Sequence, residues 1–451
     1  MNTIVALSTP PGRAAIAIIR LSGPDAIRIN DKLVQERPLS LTPRQATLRS
    51  IRDSHTGELV DRVLMTYMQA PNSFTGEEMI EISCHGSPVI VRRILDLVLA
   101  NGARLAEPGE FSLRAVENGK LDLSQAEAIR DLINAQTQAA ARQAVRQLNG
   151  ELSCRLTSLK NKLVETIVRL EAAVEFVEDD LHELQVTELS NGLRRVSSEL
   201  KELASSFSAG HWLRDGISVT ITGRPNVGKS SLFNSLLKRD RAIVSTVPGT
   251  TRDTLSEMIS ITGIPVSLTD TAGVRGKPDE IETIGIDRTH KAIADADLVL
   301  FVVDGTEGLT EDDMLLFSRT RETRCLLVAN KGDLPGFSCA DRFAELGDSC
   351  VPVSALTGEG LEQLCETIVR ELGVNEVDRQ DLLVTDARHY DLLRKTREEL
   401  EAAIRLIDDQ TSEELVLVGL HNALTLLGAI TGETTSDQIL SEIFATFCIG
   451  K

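Results

Sequence analysis

Residues 223–230 read Gly-Arg-Pro-Asn-Val-Gly-Lys-Ser, and this segment restricts the fold more than any other part of the sequence. It matches the pattern G-x-x-x-x-G-K-[ST], in which backbone N–H groups and a helix N-terminus surround a phosphate. An apolar run precedes it and Ser-Leu-Phe-Asn-Ser-Leu-Leu follows it, so we predict a strand, a phosphate-binding loop and a helix. Lys229 would reach the β- and γ-phosphates, and the Ser230 hydroxyl would bind Mg²⁺. For an isolated match the alternative is a strand-to-helix turn that binds no ligand.

Residues 214–374 alternate strand-like apolar runs with helical stretches. Such alternation predicts a doubly wound sheet, whose ligands bind at the carboxyl ends of its strands. Asp-Thr-Ala-Gly at 270–273 follows one of these runs. We expect Asp270 to hold Mg²⁺ through water and the Gly273 N–H to meet the γ-phosphate. Gly-Thr-Thr-Arg-Asp at 249–253 offers a threonine hydroxyl that would complete the Mg²⁺ shell only when a γ-phosphate is bound.

Two further motifs predict which base is bound. Asp333, in Asn-Lys-Gly-Asp at 330–333, can accept hydrogen bonds from the ring N–H and the exocyclic amine of guanine. Adenine lacks this pair of donors, and a site built for such a pair discriminates by about 10⁴–10⁵-fold. Ser-Ala-Leu at 354–356 would close over the base. The motifs at 223–230, 270–273, 330–333 and 354–356, in this order, predict a GTP site. Val274 stands where many small GTPases carry a water-positioning Gln, so another residue must orient the water.

Leucines and other aliphatic residues at helical spacing flank this block on both sides. They recur between 148 and 163, between 189 and 203, and between 393 and 407, and such stripes must pack on another apolar surface. We therefore predict a helical domain that is interrupted by an inserted nucleotide-binding domain; two separate helical domains are the alternative. The N-terminal strand-like runs with one clear helix predict an α+β domain. The predicted domains are 1–118 (α+β), 119–213 (helical, first part), 214–374 (nucleotide-binding) and 375–451 (helical, second part).

Charge and composition restrict the classes of function. The formal net charge of −19 disfavours general electrostatic binding of nucleic acid, so any RNA contact must be local or made by a partner protein. The seven cysteines show no C-x-x-C pair, which predicts free thiols in a reducing cytoplasm. The N-terminus lacks a basic leader, and no apolar run approaches the roughly 20 residues that span a bilayer. We expect a cytoplasmic protein that does not enter the membrane.

The nucleotide-site motifs, together with Cys-Ile-Gly-Lys at 448–451, resemble those of the MnmE (TrmE) family of tRNA modification GTPases. The N-terminal signatures are similar to that family's too, so the resemblance extends over the whole chain. These signatures are Thr-Pro-Pro-Gly-Arg at 9–13, Arg-Leu-Ser-Gly at 20–23, Phe-Thr-Gly-Glu-Glu at 74–78 and Asn-Gly-Lys-Leu-Asp-Leu at 118–123. The resemblance implies a multidomain α/β protein: an α+β folate-binding-like N-terminal domain, a discontinuous helical domain and an inserted Ras-like P-loop GTPase domain.

The resemblance also implies that Asn226 binds a potassium ion beside the β- and γ-phosphates, with Ser245, Val247 and Thr250. This cation would supply the charge that an arginine finger gives elsewhere, at a site that forms when two nucleotide-binding domains face each other. The Asn226 amide oxygen suits such a neutral ligand, and a turn-forming role is the alternative. The sequence departs from the family at loop positions such as Ser245, where threonine is common; the serine retains a hydroxyl and a backbone carbonyl.

The motifs and the resemblance together define the predicted nucleotide site. Ser230 and Thr251 would hold Mg²⁺, and Glu282 would orient the attacking water in place of the absent Gln. The implied catalytic residues are Glu282, Asn226 and Lys229. The predicted nucleotide-binding residues are Asn226, Val227, Gly228, Lys229, Ser230, Ser231, Ser245, Thr246, Val247, Pro248, Gly249, Thr250, Thr251, Asp270, Thr271, Ala272, Gly273, Asn330, Lys331, Asp333, Ser354, Ala355 and Leu356.

In the N-terminal domain the resemblance implies a site for a one-carbon tetrahydrofolate at a dimer interface. The matching residues are Arg20, Glu81 and Lys120, with Lys451 from the C-terminal tail. A cation can meet the glutamate carboxylate of a folate, and a carboxylate can accept hydrogen bonds from its pterin; ordinary surface charge is the alternative for Arg20 and Lys120. Cys448 is a candidate catalytic thiol or simply a small terminal residue.

We therefore expect a potassium-stimulated, homodimeric GTPase that acts on tRNA, largely through a partner. The family's partner is the FAD-dependent flavoprotein MnmG (GidA), which would form a heterotetramer with it. Together they would install a carboxymethylaminomethyl-type group at C5 of the wobble uridine. The one-carbon donor would be 5,10-methylenetetrahydrofolate, with 5-formyl-tetrahydrofolate as an analogue. The alternatives are a GTPase switch in ribosome assembly and a stand-alone folate-dependent RNA methyltransferase.

Overall fold

In the computed structural model the chain forms two compact units. One comprises Met1–Arg130, Gln147–Thr157 and Thr425–Lys451; the other comprises Asp131–Arg146 and Ser158–Leu424. Within these units the structure describes residues 2–34, 41–53, 56–175, 183–240, 256–270, 292–318, 320, 323–339, 343, 350–373, 382–409 and 413–450.

A six-stranded sheet forms the centre of the first unit. Its strands are β1 (Ile4–Leu7), β2 (Ile16–Ser22), β3 (Ala46–Arg52), β4 (Leu59–Met68), β5 (Met79–His85) and β6 (Arg104–Leu105). Their order is β3-β4-β5-β2-β1-β6, antiparallel except for the parallel β1–β6 pair. Burial alternates along β2, where Ile19 and Leu21 are buried and Ile16 is exposed, so one face of the sheet forms a core. Helices α1 (Ala26–Leu33) and α2 (Pro88–Ala100) pack on this face.

Four helices then follow along the chain. They are α3 (Glu110–Glu117), α4 (Leu123–Asn134), α5 (Gln138–Leu148) and α6 (Glu151–Glu175). The loop before α4 carries the predicted signature Asn-Gly-Lys, and the Asn118 side chain donates a hydrogen bond to the Thr75 carbonyl at 2.7 Å. Two of the N-terminal signatures therefore lie side by side.

The second unit contains a six-stranded sheet with the order β12-β11-β10-β7-β9-β8. Its strands are β7 (Ile217–Thr222), β8 (Ser256–Ile261), β9 (Ile264–Asp270), β10 (Leu298–Asp304), β11 (Cys325–Asn330) and β12 (Cys350–Pro352). All neighbouring pairs are parallel except β8–β9. Every residue of β10 is buried, as expected for a parallel strand that is covered on both faces. This sheet confirms the predicted α/β fold class.

Further helices of the second unit precede the strands of this sheet, lie between them or follow them in the chain. They are α7 (Glu183–Ser205), α8 (Phe207–Asp215), α9 (Lys229–Asp240), α10 (Glu311–Ser318), α11 (Leu361–Glu371) and α12 (Ala387–Asp408). The stripes on α7 and α12 pack on each other as predicted: Leu193, Leu200, Leu393 and Leu400 are fully buried. The discontinuous helical domain is therefore joined by contacts between α7, which precedes the sheet, and α12, which follows it.

Two helices complete the chain, α13 (Glu413–Thr431) and α14 (Asp437–Ala445). The expectation that no apolar segment approaches membrane-spanning length is wrong for α13. Among the described residues this 19-residue helix, with a mean hydropathy of 1.5, is long and apolar enough to cross a membrane by length and composition alone. A core helix meets the same criterion, and on α13 the buried residues recur at helical spacing. These residues are Val416, Leu420, Ala423, Leu427 and Ile430.

The prediction of free thiols is also wrong for two cysteines. Cys339 and Cys350 form a disulfide, with Cα atoms 6.4 Å apart. The sequence gives no spacing signal for this pair, because the pairing of β12 with β11 sets the position of Cys350, beside Leu327 in the middle of β11. Cys339, in the loop after β11, packs against the same apolar cluster as Cys350. The five cysteines that remain free are Cys84, Cys154, Cys325, Cys365 and Cys448.

Candidate nucleotide-binding site

The loop between β7 and α9 has the backbone that the Gly-x-x-x-x-Gly-Lys-Ser pattern requires. Gly223, Asn226 and Gly228 all have positive φ, of 146°, 66° and 95°. A Cβ on Gly223 would lie 2.2 Å from the Val302 carbonyl oxygen, and one on Gly228 would lie 2.2 Å from Asn330 Nδ2. Glycine is therefore required at both positions for two reasons: a side chain would collide with the neighbouring atom, and the backbone has a positive φ.

Lys229 is the first residue of α9, and its side chain turns back to the start of the loop. Its Nζ donates hydrogen bonds to the carbonyl oxygens of Gly223 at 2.9 Å and Arg224 at 2.6 Å. Lys229 is buried, so its charge stands in a site that is largely screened from water. An ammonium in this position can bind the phosphates that the loop N–H groups surround.

The two predicted Mg²⁺ residues of separate motifs meet here. Ser230 Oγ donates a hydrogen bond of 2.8 Å to Oδ2 of the buried Asp270, which ends β9. A hydroxyl and a carboxylate are the hard oxygen ligands that Mg²⁺ prefers, usually together with water and substrate phosphates. The donor set therefore fits the predicted metal.

Asn330 joins three of the predicted motifs through one buried side chain. Its Nδ2 donates to the Val227 carbonyl at 2.9 Å, in the phosphate loop. Its Oδ1 accepts from the Ala355 N–H at 3.0 Å, in the Ser-Ala-Leu motif. Because Asn330 is 2% exposed, both polar ends of its amide are satisfied inside the protein, and the loops for the phosphates and the base are held at a fixed distance.

Two residues of the predicted base-binding motif, Lys331 and Asp333, bind to side chains elsewhere in the second unit. Asp333 accepts a hydrogen bond from Ser354 Oγ at 2.6 Å, which links it to the predicted closing loop; the Leu356 side chain of that loop is exposed. Lys331 forms an ion pair with Asp304, the last residue of β10. Burial works to raise the pKa of Asp304, but the hydrogen bonds from Lys331 and Thr306 outweigh it and lower the pKa.

Sequence reasoning missed Asp304 and the partners of Arg224. Arg224 lies in the phosphate loop and pairs with Asp313 and Glu307. Burial of the guanidinium opposes its charge, but the hydrogen bonds to Asp313 and Glu307 raise its pKa. Asp304 could have been predicted as a site residue, because it ends a central parallel strand and ligands bind at the carboxyl ends of such strands. No feature of the sequence predicts that Arg224 pairs with Asp313.

Several predicted site residues lie outside the described residues. They are Ser245, Thr246, Val247, Pro248, Gly249, Thr250, Thr251, Thr271, Ala272, Gly273, Glu282 and Lys451. Their predicted roles stay predictions.

In the first unit the structure brings Arg20 and Glu81 together on β2 and β5. Arg20 Nε lies 2.7 Å from Glu81 Oε1, and an Arg20 Nη lies 3.5 Å from the Gly450 carbonyl oxygen. Ser8 Oγ donates to the same carbonyl at 3.1 Å, so the C-terminal tail lies beside Arg20 of the inner strand β2 and the end of β1. Cys448 is exposed.

Lys120, the third predicted folate residue of the N-terminal domain, stands in the loop beside Gly76. A Cβ on Gly76 would lie 3.5 Å from the Lys120 side chain. Lys120 is exposed, so its ammonium is accessible to an anionic ligand.

Comparison with known protein families covers nearly the whole chain. Residues 3–120 match the family described as "GTP-binding protein TrmE N-terminus", and residues 123–448 match the family described as "MnmE helical domain". The chain is 44% identical to the tRNA modification GTPase MnmE of Koribacter versatilis (strain Ellin345), over 100% of this chain and 99% of that protein. It is 42% identical to the tRNA modification GTPase MnmE of Aquifex aeolicus (strain VF5), over 99% of both chains.

Among solved structures, the G domain of the T. maritima FeoB iron transporter is similar to part of the chain. The identity is 30%, over 34% of this chain and 98% of that one, with a TM-score of 0.27. A score this low supports no conclusion about the present protein.

Proposed function

Because the chain belongs to the MnmE family of tRNA modification GTPases, we propose that it hydrolyses GTP with Mg²⁺ to drive conformational change during modification of the wobble uridine of tRNA. The main observation in support of a nucleotide site is that the Asn330 side chain forms hydrogen bonds both to the phosphate loop and to the Ser-Ala-Leu motif. Lys229 would bind the phosphates, Asp333 would select guanine, and Ser230 with Asp270 would hold Mg²⁺, directly and through water.

Potassium is proposed as the further cation of this site. Asn226 stands in the phosphate loop with φ of 66°, a conformation uncommon for residues other than glycine. Asparagine is among the non-glycine residues that adopt this conformation most readily, and its amide oxygen is a neutral hard ligand of the kind that suits an alkali cation. We assign Asn226 as a potassium ligand, with Ser245, Val247 and Thr250 as further ligands, Thr251 on Mg²⁺ and Glu282 orienting the water. The cation would offset the negative charge of the transition state.

The Arg20–Glu81 pair supports a proposed folate site in the first unit. Both side chains are about one-fifth exposed, so each retains donors or acceptors that a ligand can reach. Arg20, Lys120 and Lys451 would bind the folate carboxylates, and Glu81 would bind the pterin. Bound folate would supply the one-carbon unit, as 5,10-methylenetetrahydrofolate; 5-formyl-tetrahydrofolate would bind as its analogue. Cys448 is the candidate catalytic thiol.

The net charge of −19 supports a division of labour in which a partner binds most of the tRNA. We propose that this partner is the FAD-containing flavoprotein MnmG (GidA), in a heterotetramer with a homodimer of this chain. Because tRNA is the substrate, the proposed location is the cytoplasm. The proposed domains are 1–118, 119–213, 214–374 and 375–451, and the proposed product carries a carboxymethylaminomethyl-type group at C5 of the wobble uridine.

The test is complementation in a bacterial strain that lacks both its own MnmE and its own flavoprotein MnmG. Wobble-uridine modification in bulk tRNA is measured by mass spectrometry after expression of this chain or of its Lys229→Ala variant, with and without the flavoprotein. We expect the wild-type chain to restore the modification only when the flavoprotein is present, and the variant to fail. Restoration without the flavoprotein would favour a stand-alone methyltransferase. Normal GTP hydrolysis without any restoration would favour the ribosome-assembly role.

A further inference from the structure

Arg224 lies in the phosphate loop but binds to a different element of the second unit. Its Nε donates to Asp313 Oδ1 at 2.8 Å, and one Nη donates to Glu307 Oε2 at 3.2 Å. The two partners differ greatly: the Asp313 side chain is 1% exposed and the Glu307 side chain is 60% exposed. The Asp313 pair is therefore shielded from water, whereas the Glu307 pair is screened by it.

Asp313 is a fixed anchor because its second oxygen holds the start of α10. Asp313 Oδ2 accepts from the Thr310 N–H at 3.1 Å and from Thr310 Oγ at 2.9 Å. The Asp313 N–H lies 3.3 Å from Thr310 Oγ in return. This reciprocal arrangement is a capping box, so one carboxylate fixes a helix end with one oxygen and the phosphate loop with the other.

Arg224 tethers the phosphate loop to the start of α10. It stands at the start of the loop, where its own carbonyl and that of Gly223 accept from Lys229 Nζ. A second tether is the hydrogen bond from Asn330 to the Val227 carbonyl. Between the tethers lies Asn226, with its positive φ, so the tethers fix the two ends of the segment that has to keep this uncommon conformation.

We propose that Arg224 is a positioning residue of the phosphate loop: its bond to buried Asp313 keeps the loop, and Asn226 within it, in the shape that binds phosphate and potassium before the ligands arrive. The potassium part of this inference rests on the proposed function; the phosphate part does not. Without the tether the loop would sample other conformations, and ordering it would reduce ligand affinity.

The test compares Arg224→Gln and Asp313→Asn with two controls, Glu307→Gln and Asp312→Asn, in the full-length protein. Glu307 is the exposed partner of the same arginine, and Asp312 is the exposed neighbour of Asp313 on α10. GDP affinity is measured by fluorescence titration in NaCl and in KCl, the potassium concentration for half-maximal kcat is determined, and the thermal midpoint is recorded.

For Arg224→Gln and Asp313→Asn we expect about tenfold weaker GDP binding in both salts, the effect of about 1.4 kcal/mol of lost preorganisation. The potassium concentration for half-maximal kcat should rise several-fold. Both controls should stay within about twofold of the wild type. Arg224→Lys keeps a charge but loses the forked donor, so its GDP affinity should fall between those of the wild type and Arg224→Gln.

GDP affinity and potassium response are compared at a temperature where the variants are folded. If both stay within twofold of the wild type while the thermal midpoint falls, Arg224 has only a structural role and the inference is overturned. If Arg224→Gln and Asp313→Asn do not fold, the Arg224→Lys variant is used instead, and GDP affinity and potassium response within twofold of the wild type overturn the inference. A wild type without any potassium response would remove the potassium assignment of Asn226, while the GDP affinities would still decide on the tether.

Discussion

The nucleotide site and the Arg20–Glu81 site are built in different ways. In the first, the buried Asn330 side chain joins three loops and both ends of its amide are satisfied. In the second, two side chains about one-fifth exposed form an ion pair, and the third contact comes from the Gly450 carbonyl of the C-terminal tail. The described part of the nucleotide site is therefore held in place by hydrogen bonds within the protein, whereas the Arg20–Glu81 pair keeps polar groups open to solvent. Substitutions should therefore cost more in the first site.

Asp333→Asn should have the largest effect. The amide loses the acceptor for one guanine donor and offers a donor to the 2-oxygen of xanthine, so the preference for GTP over XTP should fall by about 10⁴-fold. Competition binding with the two nucleotides measures this ratio, with exposed Asp312→Asn as the control. An unchanged preference would mean that Asp333 does not read the base.

Lys229→Ala should come next. Removing the charge that meets the phosphates should lower kcat for GTP hydrolysis by about 10²–10³-fold. Lys238→Ala, an exposed lysine in the last turn of the same helix, is the matched control and should keep its rate. The Lys229→Ala variant should bind reduced folate as the wild type does, because the proposed folate site lies in the other unit. Equal rates for the two variants would contradict the assignment of the phosphate loop.

Arg20→Ala should have a smaller effect, confined to the first unit. A charge-assisted hydrogen bond is worth about 1.5–3 kcal/mol, so affinity for 5-formyl-tetrahydrofolate should fall by about 10–100-fold while GTP hydrolysis is unchanged. Isothermal titration calorimetry gives the affinity, and Arg28→Ala, whose pair with Asp25 is exposed, serves as control. Wild-type affinity in Arg20→Ala would remove Arg20 from the folate site.

The smallest effect should appear in stability, when two ion pairs are compared. In the Arg214–Asp386 pair of the second unit the carboxylate side chain is 11% exposed, and in the Arg20–Glu81 pair it is 23% exposed. Burial works to raise the pKa of Asp386, but the charges of His389 and Arg214 and the Arg388 N–H outweigh it and lower the pKa to about 2. Because this pKa is depressed in the folded state, the stabilisation is complete above about pH 4 and is lost as pH falls toward 2.

Asp386→Asn should therefore cost about 2 kcal/mol at pH 7, with the difference from the wild type closing near pH 2. Thermal midpoints from pH 7 to pH 2 measure this. Glu81→Gln should cost below about 1 kcal/mol throughout, since its pair is partly hydrated. A pH-independent gap for Asp386→Asn would show that its charge is not the source of the stabilisation.

The same contrast explains which parts of the molecule could be predicted from the sequence. The phosphate loop was predictable because its glycines, lysine and serine are neighbours in the chain and local backbone geometry brings them together. The α/β fold class followed from the alternation of apolar runs, and the packing of α7 on α12 from their stripes. Residues such as Asp313 and Cys350 were not predictable, because their partners are set by the strand order. The position of Gly450 beside Arg20, 430 residues earlier in the sequence, likewise depends on tertiary packing.

The most direct test of a potassium-dependent GTPase with an organised phosphate loop is the rate of GTP hydrolysis in KCl and in NaCl, for the wild type and for Asn226→Ala. We predict that the wild type is faster in KCl by about tenfold or more, as expected when a cation offsets transition-state charge. In the Asn226→Ala variant the two rates should be equal, at the lower value. Equal rates for the wild type in both salts, or a potassium response that survives Asn226→Ala, would contradict the account.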